Sequence, residues 1–86
     1  MTSKLSSIQP GKSVIVNEIA DSVLRPKLME MGVIIGQELT VLFRAPFGDP
    51  IAVDVNGYML SLRLDEAALI EVVDLNEETI SFEPVR

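Results

Sequence analysis

The 86-residue sequence contains no cysteine, no histidine and no tryptophan. Without thiols it can form no disulfide, offer no thiolate nucleophile and build no sulfur-ligated zinc site. Without imidazole it lacks the usual general base near neutral pH and the commonest metal ligand, so chemistry of the Ser-His-Asp kind is excluded. A metal site would have to use carboxylates and water alone, which suits magnesium, calcium or manganese, and no spaced acidic motif such as an EF-hand loop is present. The five glycines stand singly, each at a turn or helix stop, and form no phosphate cradle. No run of about 18 apolar residues is available to cross a bilayer. The segment Met1-Thr2-Ser3-Lys4-Leu5 lacks the apolar centre of a signal peptide. These absences predict a cytoplasmic protein that is not an enzyme and carries no cofactor or metal.

What remains is a compact, aliphatic composition. Apolar residues make up 48% of the chain but aromatics only 5%, so the core must be built from Val, Ile, Leu and Met. A chain of this length buries only roughly 60 to 65% of the surface its unfolded form exposes, enough for one core. The formal charge is -6, and Asp65, Glu66, Glu71, Asp74, Glu77, Glu78 and Glu83 crowd the last quarter. Such a chain repels a phosphate backbone, and no basic cluster with interleaved aromatics offsets this, so nucleic acid is not an expected partner.

Residue patterning predicts about five short strands and one short helix. Pro10-Gly11 marks a turn before the β-branched run Ser13–Ile19, the first expected strand. From Asp21 the period changes: Leu24, Leu28 and Met31 recur at i, i+4 and i+7, one apolar stripe on a helix of about two turns. Pro26 suits only the first turn of that helix, and Gly32 supplies its left-handed stop. Gln37–Arg44 reads as the second strand, with Leu39, Val41 and Phe43 alternating. Ala45–Pro50, rich in Pro, Gly and Asp, reads as a loop at the sheet edge. The pair Asn56-Gly57 is the strongest local signal. A two-residue turn there places Val55 opposite Tyr58, Val53 opposite Leu60 and Ile51 opposite Leu62, all apolar, whereas a one-residue slip would move Val and Leu into water. Asp65–Ala68 suits one helical turn with its acids at the N-terminal end, and Ile70–Val73 is the last strand. Closing these strands into a small SH3-like barrel, with the helix between the first two, removes exposed edges. Residues 1–74 make the domain. Residues 75–86 form an acidic tail for which partial order is the favoured reading, the alternative being an added strand with Ile80 and Phe82 on one face that pairs with an open edge of this molecule or a neighbour.

Few side chains stand out as surface features. Met29 lies roughly 140° from Leu24 around the helix, towards Arg25, where it is either an adaptable contact or a residue covered by the loop after Gly32. Phe47 sits in a loop bracketed by prolines and could be an exposed anchor, although plugging the open end of the barrel is the favoured role. Arg44 and Arg63 end two strands, with ordinary ion pairs to Asp49 or Glu66 the favoured role and a partner the alternative.

In this order, several segments resemble the FeoA family, the small cytosolic component of bacterial ferrous iron transport systems. They are Leu5 with Pro10-Gly11, the run Leu24–Gly32 followed by Gly36, Arg44-Ala45-Pro46-Phe47-Gly48-Asp49-Pro50, and Leu60-Ser61-Leu62-Arg63 with Glu66-Ala67. The resemblance spans roughly residues 4 to 73, and its most specific stretch is Arg44–Pro50. It implies an SH3-like barrel without enzymatic activity. It also implies association with FeoB, the membrane transporter that carries a cytosolic GTP-hydrolysing domain, and hence recruitment to the inner face of the membrane. On this chain the candidate partner contacts become Leu24, Arg25, Met29, Arg44, Phe47 and Asp49, with weak self-association left open. Met29 and Met31 stand where the family more often has Leu, and the tail after Val73 is longer than the core pattern needs. A comparable fold occurs as the C-terminal domain of metal-dependent repressors. That reading would require a helix-turn-helix and metal ligands, neither of which occurs among these residues, and a binder of proline-rich peptides would need an aromatic groove that Tyr58 alone cannot line.

Overall fold

The computed structural model describes residues 2–75. Asn56 and Gly57 hold φ of 53° and 93°, the left-handed pair that matches the twist of the strands a two-residue turn joins. β4 (Ile51–Val55) and β5 (Tyr58–Leu62) flank that turn in the expected register, Val55 opposite Tyr58, Val53 opposite Leu60 and Ile51 opposite Leu62. β3 (Glu38–Arg44) pairs antiparallel with β4, and β2 (Ser13–Ile19) with β3. β6 (Ile70–Asp74) returns to pair with β2 on its other side.

A sixth strand was not expected. β1 (Thr2–Lys4) pairs with β6, giving one antiparallel sheet in the order β1-β6-β2-β3-β4-β5. Its three residues are all exposed. They have no apolar alternation to announce a strand, and only the β6 edge makes them one.

The second correction concerns Phe43. Leu39 and Val41 are buried, but the register with β4 shifts between Val41 and Phe43, so Leu42 is an extra residue and Phe43 faces Ala52. A bulge of this kind moves every following side chain to the other face. Phe43 is therefore exposed, and Arg44 takes the inward row opposite Ile51.

α1 (Arg25–Glu30) carries Pro26 in its first turn, where no hydrogen bond is lost. Leu28 is fully buried and Met31 packs against the core, whereas Leu24 lies one residue before the helix and is half-buried. A helix this short is not stable alone in water, so burial of Leu28 fastens it to the sheet. Gly32 ends it at φ 101°. The Tyr58 hydroxyl donates to the Met31 carbonyl beside it.

β1 and β5 do not pair, so the barrel does not close through backbone hydrogen bonds. Instead a 3-10 turn at Leu5–Ser7 and α2 (Leu64–Ala67) pack together, with Leu5 and Ala67 fully buried. The core is aliphatic throughout, Val14, Val16, Ile19, Leu39, Val41, Ile51, Val53, Val55, Leu62, Ile70 and Val72 joining Leu5 and Leu28. The tail, with its alternative readings as a partly ordered segment or a strand around Ile80 and Phe82, lies outside the described residues.

Candidate interaction surface

The Ala45–Pro50 segment closes on itself. The Ala45 N-H donates to the Pro50 carbonyl at 3.0 Å and the Gly48 N-H to the Ala45 carbonyl at 2.7 Å. Asp49 Oδ1 accepts from the Leu64 N-H at 3.0 Å, fixing the loop to the first turn of α2. At its tip Phe47 is 96% exposed. Exposed to this degree, it is not a barrel plug. A loop closed by three hydrogen bonds thus presents an aromatic side chain outward.

α2 joins this loop to α1. Glu66, 7% exposed, accepts from the Arg63 N-H at 2.9 Å and lies 3.7 Å from Lys27 Nζ of α1. The Phe47 loop and α1 are therefore both tied to α2, one through Asp49 and the other through Glu66. Around α1, Val23 is 93% exposed, and Met29, Ile34 and Ile35 are also exposed. The loop after Gly32 leaves Met29 open.

The charged candidates divide. Arg44 donates to the carbonyls of Ser6 and Ile8 at 2.7 and 2.9 Å, so its guanidinium ties the N-terminal segment to the end of β3. Asp49 likewise works inside the chain, on α2. Neither makes the expected ion pair with the other, and Arg63 instead faces Asp65 at 3.9 Å. Arg25 is half-buried, and its Nε is buried without a hydrogen-bond partner. Sequence patterning missed the internal roles of Arg44 and Asp49, because both depend on contacts far along the chain. It named Glu66 only as an ion-pair candidate and missed its bond to the Arg63 N-H, though an acid three residues after Arg63 is the spacing of a reach-back to a helix start.

Among the described residues no group of three or more acids gathers to hold a metal ion, and no helix is long and apolar enough to cross a membrane. The surface around α1 and the Phe47 loop offers apolar contact area.

A family model described as the FeoA domain matches residues 3–74. The chain belongs to the FeoA family. Among curated proteins it is 39% identical over 70 residues to an Fe(2+) transport protein A/Fe(2+) transporter FeoB fusion protein of Porphyromonas gingivalis, covering 80% of this chain and 8% of that protein. The chain thus spans a small fraction of that relative's length. Among solved structures it resembles a FeoA-like protein from Clostridium acetobutylicum, with 40% identity, TM-score 0.82 and coverage of 86% and 87% of the two chains. Stenotrophomonas maltophilia FeoA, described as a prokaryotic SH3 domain protein, matches with 28% identity, TM-score 0.73 and coverage of 86% and 92%. A manganese-dependent transcriptional repressor shares the fold alone, at 24% identity, TM-score 0.78 and coverage of 85% and 41%. The SH3-like fold and the association of the family with ferrous iron transport follow for this FeoA domain.

Proposed function

We propose that this FeoA protein is a non-catalytic accessory or regulatory component of ferrous iron uptake. It docks on the cytosolic side of a FeoB-type transporter through α1 and the Phe47 loop. The observation that carries this reading is the fusion: in the P. gingivalis relative a domain 39% identical to this one is covalently part of the transporter polypeptide. Domains fused in one protein and separate in another commonly work together, since a linker merely raises their effective concentration.

The geometry supports α1 and the loop as the contact. Phe47 and Met29 are an aromatic and a thioether side chain, both types enriched in the fully buried centres of interfaces. Each is exposed here, and α2 couples the elements that carry them. Arg25 lies one turn before Met29 on the same short helix, and Leu24 immediately precedes that helix.

The test is a backbone amide spectrum of labelled protein titrated with the transporter's cytosolic domain and then with the whole transporter. Localised shifts or broadening on 24–35 and 45–50 are expected, and Met29→Glu should weaken them while leaving the spectrum of the free domain folded. An unchanged spectrum with both preparations would overturn the docking reading.

A further inference from the structure

The two outer strands of the sheet differ in how they are protected. Natural edge strands are kept from pairing with other chains by shortness, lysine, proline or bulges. β1 has three residues and Lys4. β5 has five, Tyr-Met-Leu-Ser-Leu, with no charge, no proline and no bulge in its register with β4. In a hairpin with a two-residue turn, Tyr58, Leu60 and Leu62 turn their N-H and C=O groups towards β4, and Met59 and Ser61 turn theirs outward. No hydrogen bond among the described residues uses the backbone of Met59 or Ser61 on that outer side. Met59 is 61% exposed.

We infer that the β5 edge receives an extended, basic and apolar segment of another protein, which adds to the sheet as a further strand. Four backbone hydrogen bonds are available, from Met59 and Ser61. Their side chains share a face with Asp54, which pairs directly with Met59 across β4. Asp54 also lines a shallow concavity of about 180 Å³ with Gln37, Glu38, Thr40 and Asn56. No lysine or arginine among the described residues forms an ion pair with Asp54 or Glu38. A strand added beside β5 lies about 10 Å from β4, a span that a lysine side chain and the Asp54 carboxylate bridge together. Lysine or arginine therefore belongs opposite Met59 and Ser61, and an aliphatic residue opposite Leu60. Charge selects this occupant over the alternatives. A second copy of the chain pairing edge to edge would bring its own Asp54 to the same face, and residues 76–86 carry three glutamates against one arginine.

The edge is not one of the elements assigned to transporter docking, and its test uses no transporter. A short synthetic peptide alternating lysine and valine is added to the labelled full chain, with a glutamate-valine peptide as control. The lysine-valine peptide should slow amide exchange at Met59 and Ser61 by at least about tenfold and shift Asp54, and the control should do neither. Met59→Lys and, independently, Asp54→Asn should each weaken the effect in a protein whose own spectrum stays folded. Protection by both peptides alike, protection that rises with protein concentration in the absence of peptide, or no protection at Met59 and Ser61 would each overturn the assignment.

Discussion

α2 has its first turn held by side chains on both sides, Asp49 on the Leu64 N-H and Glu66 on the Arg63 N-H. α1, by contrast, has only the Ser22 hydroxyl, which accepts from the Leu24 N-H at 3.2 Å, at its start and leaves Met29 exposed and Arg25 Nε unpartnered. Both helices are short and rest on the same sheet, so length does not explain the difference. Around α2 the polar groups are consumed in building the domain. Around α1 and the Phe47 tip, apolar area is left over. In a chain this small, groups spent on the fold cannot also be spent on a partner, and the difference separates structural residues from candidate contacts within a single stretch such as Arg44–Pro50.

Substitutions can break that comparison, and the largest effect should come from the one residue of α1 that belongs wholly to the core. Leu28 is fully buried, and Leu28→Ala should lower stability by about 2 to 5 kcal/mol through lost transfer energy and a residual cavity. Urea denaturation checks this. An unchanged midpoint would mean that α1 is not fastened to the sheet through Leu28.

Gly32 comes next. Its φ of 101° costs a side chain about 1 to 2 kcal/mol, and an added Cβ would lie 2.6 Å from the Tyr58 hydroxyl. Gly32→Ala should therefore cost more in the wild-type background than in Tyr58→Phe, where the crowding oxygen is gone. Equal costs in the two backgrounds would show that the Tyr58 oxygen contributes nothing there, leaving backbone strain and the Val55 side chain, 3.2 Å from the added Cβ, as the causes.

A smaller loss is expected at α2. Asp49→Ala removes the acceptor for the Leu64 N-H and should cost about 0.5 to 2 kcal/mol, the range for losing a helix-start cap. Amide exchange at Leu64 should quicken. If exchange is unchanged and only partner binding falls, Asp49 is a contact and not a cap.

These cases mark where the sequence was readable. The β4–β5 register was legible because Asn56-Gly57 and the apolar alternation point to one answer within a dozen residues. The Leu28 anchor was legible from its helical spacing. Phe43 was misread because an alternating pattern does not announce an extra residue at Leu42, and the bulge is seen only against β4. β1 was missed because Thr2–Lys4 has no pattern of its own and becomes a strand only when β6 is beside it. The roles of Arg44 and Asp49 were hidden for a related reason: their partners, Ser6, Ile8 and Leu64, are 15 to 38 residues away. Exposure of a loop aromatic is likewise a tertiary property. The composition of Ala45–Pro50 fits a plug as well as an anchor, and only the exposure of the Phe47 ring in the folded chain decides between them.

The smallest effect on stability should accompany the sharpest test of the comparison. Phe47 is almost entirely exposed, at the tip of a loop whose hydrogen bonds involve the backbone of Ala45, Gly48 and Pro50 and the Asp49 side chain, none of them the ring. Phe47→Ser should therefore move the denaturation free energy by no more than about 0.5 kcal/mol, the usual range for an exposed position without a special role. If the ring is a contact, the same substitution should cost about 1 kcal/mol or more in binding, since aromatic anchors that become desolvated at an interface dominate its energy. Asp49→Ala should show the reverse balance, with measurable destabilisation and weaker binding only as far as the loop loosens. Measured side by side, the two variants separate a residue presented by the loop from one that holds it in place. A destabilised Phe47→Ser protein would place the ring with the structural residues and remove the loop from the docking surface.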